Sequence, residues 1–188
     1  EQLALDEVSF KVNSGEIVGF LGPNGAGKST TMKIISCFIK PSSGNVLVDG
    51  VSIHENEIAV KTKIGYLPEN NPLYEEMYVR ESIAFIAQIH KVEDVKSSVE
   101  EVIEKVGLTK EAHKKIGQLS KGYQQRVGIA QAIVHDPEVL ILDEPTSGLD
   151  PNQLEDIRAL IKELGRNKTV MLSTHIMQEV ESICDRIV

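Results

Sequence analysis

Nine consecutive residues carry the clearest chemistry in this chain. Gly22-Pro23-Asn24-Gly25-Ala26-Gly27-Lys28-Ser29-Thr30 satisfies G-x-x-x-x-G-K-[ST] at every fixed position, the pattern of a loop that cradles phosphate. Its glycines let the backbone come close to an anion and turn N–H groups inward as a nest. A helix starting near Lys28 aims its positive end at the same point. Lys28 adds a full charge for β- and γ-phosphates, and Ser29 offers a hydroxyl to Mg²⁺. The setting is the required one: Ile17-Val18-Gly19-Phe20-Leu21 precedes the loop as an apolar strand. Met32, Ile34, Ile35 and Phe38 follow it at helical spacing.

Two further sites fall at strand ends. Asp143-Glu144 follows the apolar run Val139-Leu140-Ile141-Leu142. In an open α/β sheet, ligands gather at the carboxyl ends of the strands. An Asp there holds Mg²⁺ together with Ser29, and Glu144 takes a proton from an attacking water. The plainer alternative is two solvated carboxylates. His175 closes the strand ending in Ser173-Thr174; it reads either as a γ-phosphate contact or as a packed histidine near a helix start. Asp150 before Pro151 is an N-cap, which alone explains it, and a second role stays open. Ser120, likewise, caps a helix or, with Gly122, forms a second anion site.

The elements that position these residues alternate. Val8, Phe10 and Val12 alternate with polar neighbours before Asn13-Ser14-Gly15, which predicts a hairpin leading into the strand at 17. Strands are expected at 45–48 and 51–53 around Asp49-Gly50, and at 64–67, ended by Pro68. From Tyr78 to Gly107 the apolar spacing is that of amphipathic helices, and a long helix is expected from 120 to 135. Beyond it come a strand at 139–142, a helix opened by Asp150-Pro151, a strand at 168–173 and a helix at 176–184. The expected fold is α/β: a mostly parallel sheet flanked by helices, with an antiparallel N-terminal patch and an inserted helical subdomain. A single domain is expected over 1–188, with 1–68 and 136–188 as the α/β core and 69–135 as the helical insert.

Composition agrees. A chain of 188 residues suits one domain. A net charge of −8 argues against a general nucleic-acid binder. No apolar run reaches the length of a membrane span, since Ile83-Ala84-Phe85-Ile86-Ala87 ends at Gln88. Cys37 and Cys184 both lie in apolar helical patterns and are expected to be reduced, packed thiols of a cytoplasmic protein.

Taken together, loop 22–30, Leu119-Ser120-Lys121-Gly122-Tyr123-Gln124-Gln125-Arg126, Leu140-Ile141-Leu142-Asp143-Glu144-Pro145, Ser147-Gly148-Leu149-Asp150 and His175 stand in the order and spacing of ABC ATPase cassettes. The chain resembles the ATP-binding subunits of bacterial ABC transporters over nearly its whole length. It is most similar to the ABC-2-type exporters of the drug, sodium and gliding-motility kind. The resemblance implies a P-loop NTPase fold with Gly22 to Thr30 as Walker A, Asp143 as the Walker B magnesium carboxylate, Glu144 as catalytic base and His175 as switch histidine. Leu119, Ser120, Lys121, Gly122 and Tyr123 would be the signature, and Ser147, Gly148, Leu149 and Asp150 the loop crossing a dimer interface. It also implies ATP as substrate with Mg²⁺, and a head-to-tail partner that is a second copy or a paralogous cassette. Completing the picture are a transmembrane permease subunit and a place on the inner face of the cell membrane, with no nucleic-acid partner.

Three features depart from the family pattern. Glu69 stands where a Gln usually meets Mg²⁺ and the attacking water, so it is expected to touch the metal as a carboxylate and to couple nucleotide to the membrane partner. Lys121 and Tyr123 replace the usual Gly and Gln; Lys121 either adds a cation to the partner's phosphate site or is a solvated helix residue. No aromatic precedes Leu3 to stack on adenine, and the family's last strands lie past Val188, so the chain is expected to be the trimmed part of a longer protein. Two rival classes are weaker. A soluble ABC protein acting on DNA or ribosomes would carry long coiled coil between Lys28 and Leu119, or two cassettes. A non-hydrolysing regulator would not need Lys28, Ser29, Asp143, Glu144 and His175 together.

Overall fold

The computed structural model describes residues 3–188; Glu1 and Gln2, part of the expected domain span, lie outside the described residues. Five parallel strands form the main sheet in the order β4-β5-β6-β1-β7. These are β1 (Ile17–Leu21), β4 (Ile64–Leu67), β5 (Val139–Asp143), β6 (Thr169–Thr174) and β7 (Arg186–Ile187). A small antiparallel pair, β2 (Leu47–Val48) and β3 (Val51–Ser52), stands apart from it. The helices are α1 (Lys28–Ile35), α2 (Glu57–Lys63), α3 (Val79–Ile89), α4 (Val95–Lys105), α5 (Lys121–Ile133), α6 (Pro151–Gly165) and α7 (Met177–Ile183). The α/β class, the parallel sheet and the flanking helices are as expected.

The two-residue period of the strands divides the core in two. Ile17, Leu67, Leu140, Leu142, Val170 and Leu172 face one way and pack with α3 to α6. Val18, Phe20, Ile64, Ile141 and Met171 face the other way, toward Met32 and Ile35 of α1 and Val60 of α2. Strands buried on both faces read as continuous apolar runs, which is why β5 was legible as Val-Leu-Ile-Leu. Because all five strands run the same way, their carboxyl ends lie along one edge.

One expectation needs correction. Residues 8–12 form no hairpin strand. Both edges of β1 are taken, one by β6 and the other by β7, so no ladder is left for a preceding strand. The alternation at Val8, Phe10 and Val12 serves packing instead: the Phe10 ring meets Phe20 edge-on at 4.8 Å, and Val12 covers the α1-side core. The antiparallel patch is thus confined to β2 and β3. In addition, the stretch between β3 and β4 is helical. Asn56 caps α2 by accepting from the Ala59 N–H at 3.0 Å, and Lys61 pairs with Glu57 at 2.5 Å one turn back. The cysteines are free, on different clusters, and burial pushes the Cys184 thiol up to about 12. Among the described residues no helix is long and apolar enough to cross a membrane.

One junction between helices and sheet is titratable. His90, capping the end of α3, stacks on His135 beyond α5 with ring centroids 3.7 Å apart. The His135 Nε2 lies 3.1 Å from the Ile64 carbonyl, which can only accept, so the proton sits on Nε2. Its Nδ1 is buried without a partner. Protonating Nδ1 would bury an unpaired N–H⁺ against His90 and near Lys168, whose ammonium is held by Asp136. Desolvation first, then His90, push His135 down to about 4 from an ordinary 6.5. The folded pKa is depressed, so the fold favours neutral His135, and this stability is complete above the unfolded value and lost as pH falls toward 4. Thermal melts should therefore show a lower Tm at pH 5 than at pH 7.5. His135→Gln, which keeps a donor for Ile64 and does not titrate, should flatten that difference.

Candidate functional site

The site assembles on the shared edge of the sheet. Leu21 of β1 stands in register with Thr174 of β6, and Asp143 of β5 with Ser173 of β6. The Gly22 N–H reaches the Thr174 carbonyl at 3.4 Å, so loop 22–27 springs directly from the strand beside His175. Gly27 is the N-cap of α1 at φ +90°, a left-handed conformation that side chains resist. A Cβ on it would stand 2.6 Å from the Ala4 carbonyl oxygen.

Lys28, only 9% exposed, donates to the carbonyls of Gly22 at 2.7 Å and Pro23 at 3.1 Å. Its ammonium lies 3.7 Å from Glu144 Oε1. The Ser29 hydroxyl donates to Asp143 Oδ1 at 3.0 Å. Ser173, fully buried, donates to the same oxygen at 2.5 Å and accepts from the Glu144 N–H at 3.0 Å. Glu144 itself sits at φ +49°, a strained position for a residue with a side chain, costing about 1–3 kcal/mol. Its carboxylate meets His175 Nδ1 at 3.0 Å. Lys28 and Ser29, Asp143 and Glu144, and His175 come from three separate stretches of sequence and thus form one connected cluster.

Glu69 lies exposed just past the end of β4. On β4 the Tyr66 hydroxyl, unmarked by any local sequence pattern, is buried without a partner. Burial first, then the charges of Asp143 and Glu69, push that phenol up to about 12. Ser173 was also missed. Its position one residue short of Thr174-His175 was visible, but nothing in the sequence announces that its hydroxyl bridges two strands.

The cluster can hold a metal only in part. Ser29 and Asp143 offer a hydroxyl and a carboxylate oxygen, the hard donors that suit Mg²⁺. Among the described residues no three His, Cys, Asp or Glu side chains gather as a protein-only cage. That fits an ion completed by water and substrate phosphate.

The signature-like stretch lies elsewhere. Ser120 caps α5, and its hydroxyl accepts from Tyr123 N at 3.5 Å and Gln153 Nε2 at 3.4 Å. Leu119 is buried and Tyr123 exposed. Gly122 is covered by Gln153, whose side chain would stand 2.7 Å from a Cβ there. Lys121 is exposed, with its ammonium beside Gly148. Asp150 caps α6, with Oδ1 accepting from Asn152 N and Gln153 N at 3.0 Å each. An open cavity of about 280 Å³ is lined by Ser120, Gly122, Tyr123, Arg126, Gln153 and Asp156. Among the described residues no hydrogen bond joins 119–123 to 22–30. The stretches Ser147 to Asp150 and Leu119 to Tyr123 meet where Lys121 lies beside Gly148.

Comparison with known proteins matches these features. A family profile described as ABC transporter covers residues 5–147. The chain is 43% identical over 185 residues to an uncharacterized ABC transporter ATP-binding protein, YhcH, of Bacillus subtilis, covering 97% of this chain and 60% of that protein. It is 41% identical over 191 residues to the bacitracin transport ATP-binding protein BcrA of Bacillus licheniformis, covering 99% of this chain and 61% of that one. It thus spans about three-fifths of the length of these relatives. Among solved structures, a dimeric post-hydrolysis state of the ATP-binding cassette MJ0796 bound to ADP and Pi superposes with a TM-score of 0.87 at 31% identity, covering 98% of this chain and 85% of that one.

The Gly27 geometry sets an expectation of its own. Gly27→Ala forces a side chain into a left-handed cap and onto the Ala4 carbonyl. Affinity for a fluorescent ATP analogue should fall by about tenfold or more, since about 1–3 kcal/mol of backbone strain is added.

Proposed function

This chain belongs to the ABC transporter family, and we propose that it is the ATP-binding and ATP-hydrolysing subunit of a membrane exporter. The observation that carries the reading is the connected cluster at the sheet edge. A phosphate loop, a buried carboxylate beside a serine hydroxyl, and a second carboxylate paired with a histidine converge there. Export rests on the subgroup resemblance and on relatives named for antibiotic transport and Nod factor export.

The residues divide the chemistry as follows. The amides of Gly22, Pro23, Asn24, Gly25, Ala26 and Gly27, with the start of α1 at Lys28, Ser29 and Thr30, hold the phosphate chain. Lys28 turns from the loop carbonyls to the β- and γ-phosphates. Ser29 and Asp143 would hold Mg²⁺, with Glu69 near it, and the ion would neutralise phosphate charge. Glu144 accepts a proton from a water as its oxygen bonds to the γ-phosphorus and the bond to the ADP oxygen breaks, giving ADP and inorganic phosphate. His175, bonded through Nδ1 to Glu144, orients that carboxylate and leaves Nε2 for the γ-phosphate. Before nucleotide binds, the Glu144 carboxylate faces the Lys28 ammonium at 3.7 Å and His175 Nδ1 at 3.0 Å.

The separation of signature from phosphate loop supports a two-chain site. Leu119 to Tyr123, in the helical 69–135 region, would close over ATP held by a second copy or a paralogous cassette, with Ser147 to Asp150 at the seam. Closing and opening would drive a transmembrane permease on the inner face of the membrane.

Glu144→Gln keeps shape but cannot take the proton. ATPase activity should fall by about 10²–10⁴, while ATP binding persists and size-exclusion chromatography with MgATP shows a trapped dimer. Undiminished turnover would remove Glu144 from the role of base. Glu69→Gln, assayed with the permease in vesicles, should alter the coupling of ATP hydrolysis to transport; identical ATPase and transport rates would sink that assignment.

A further inference from the structure

One buried carboxylate has no part in the chemistry so far. Glu179, in the first turn of α7, is 1% exposed. Its two oxygens are taken by two hydroxyls: Oε1 accepts from Thr146 at 2.6 Å and Oε2 from Thr174 at 2.6 Å. Both threonines are buried, at 4% and 0% exposed. Bonds this short from O–H to a carboxylate are the charge-assisted kind, roughly twice as strong as neutral ones. A solvated acid at this position would serve the helix dipole equally well, so the two hydroxyls are what distinguish this site.

The two threonines flank the working residues. Thr146 lies two positions past Glu144, and its carbonyl accepts from the Leu149 N–H at 3.3 Å, at the start of the turn toward α6. Thr174 immediately precedes His175. Its hydroxyl donates to Glu179 and accepts from the Ile176 N–H at 3.1 Å, so the backbone on both sides of His175 is held. Its carbonyl accepts from Gly22 N–H at 3.4 Å. The loop after β5 and the loop after β6 therefore meet at Glu179, one layer beneath the 3.0 Å contact between His175 and Glu144.

We propose that Glu179 is a positioning residue whose carboxylate clamps Thr146 to Thr174 and thereby sets the spacing of Glu144 and His175 for hydrolysis. The proposal rests on the hydrolytic reading above. The clamp touches neither substrate nor reacting atoms; it acts through the two loops. Misplacement of a catalytic pair by about 1 Å costs up to about 10²-fold in rate. Removing the clamp should lower kcat while the phosphate loop, tied to the Thr174 main-chain carbonyl rather than to its hydroxyl, keeps its affinity.

The test uses the full natural chain in MgATP. Glu179→Ala should lower kcat about tenfold or more with KM for ATP within about twofold of wild type. Glu179→Gln should recover most of the rate, because its carbonyl accepts from Thr174 while its amide N–H donates to Thr146. If Glu179→Ala does not fold by circular dichroism, Thr174→Val breaks one arm alone and should show the same split of kcat from KM. An unchanged kcat in the folded variant overturns the clamp, as does a parallel loss in kcat and KM, or a Gln variant as impaired as Ala. A wild-type chain without ATPase activity overturns the hydrolytic reading and the clamp with it. Wild-type turnover with Glu144→Gln inactive and Glu179→Ala unimpaired overturns the clamp alone.

Discussion

A single carboxylate oxygen ties the site together. Asp143 Oδ1 accepts from Ser29 on α1 and from Ser173 on β6 while its residue is 1% exposed. A charge so buried must be met by donors, or it costs several kcal/mol. The donors come from elements more than a hundred residues apart. They can meet only if β1, β5 and β6 lie in one order and one register. A slip of one residue between β5 and β6 would turn Asp143 to the other face and exchange the two cores.

The same bonds locate the neighbouring strain. The Glu144 N–H is fixed by Ser173, through both its carbonyl and its hydroxyl, which holds Glu144 in the left-handed region. Strain of this kind persists where the surroundings over-determine the backbone. Here the surroundings are two parallel strands and the buried hydroxyls of Ser173, Thr174 and Thr146. The result is a carboxylate directed at Lys28 and His175 at once, a geometry that no isolated turn would keep.

The local patterns were legible because their causes are local. The phosphate loop is fixed by glycine and lysine spacing, β5 by an apolar run, and α6 by an Asp-Pro start. The convergence of Lys28, Asp143 and His175 was legible through the rule for parallel sheets, which needs only strand direction. What escaped depended on partners far away in sequence. Val8, Phe10 and Val12 have a strand's pattern, yet β6 and β7 hold both edges of β1. Glu179 looks like an ordinary acid in a first helical turn, and only the fold brings Thr146 and Thr174 to it. Tyr66 looks like a strand aromatic until its hydroxyl is found buried in the fields of two acids. Helix α2 is a different case: Asn56 and the Glu57–Lys61 pair were present as signals and went unused.

The sheet order has a consequence in time. Strand β1 carries the phosphate loop, yet its neighbours β6 and β7 are the last strands of the described chain, with Ile17 paired to Val170 and Val18 to Arg186. At about 5–20 residues per second of synthesis, roughly ten to thirty seconds separate the emergence of the loop from that of its supports. Through that interval an apolar strand and a glycine-rich loop wait without a ladder, and such long-range parallel pairing is slow to form. The phosphate cradle, first in the sequence, is among the last parts of the domain to become a structure.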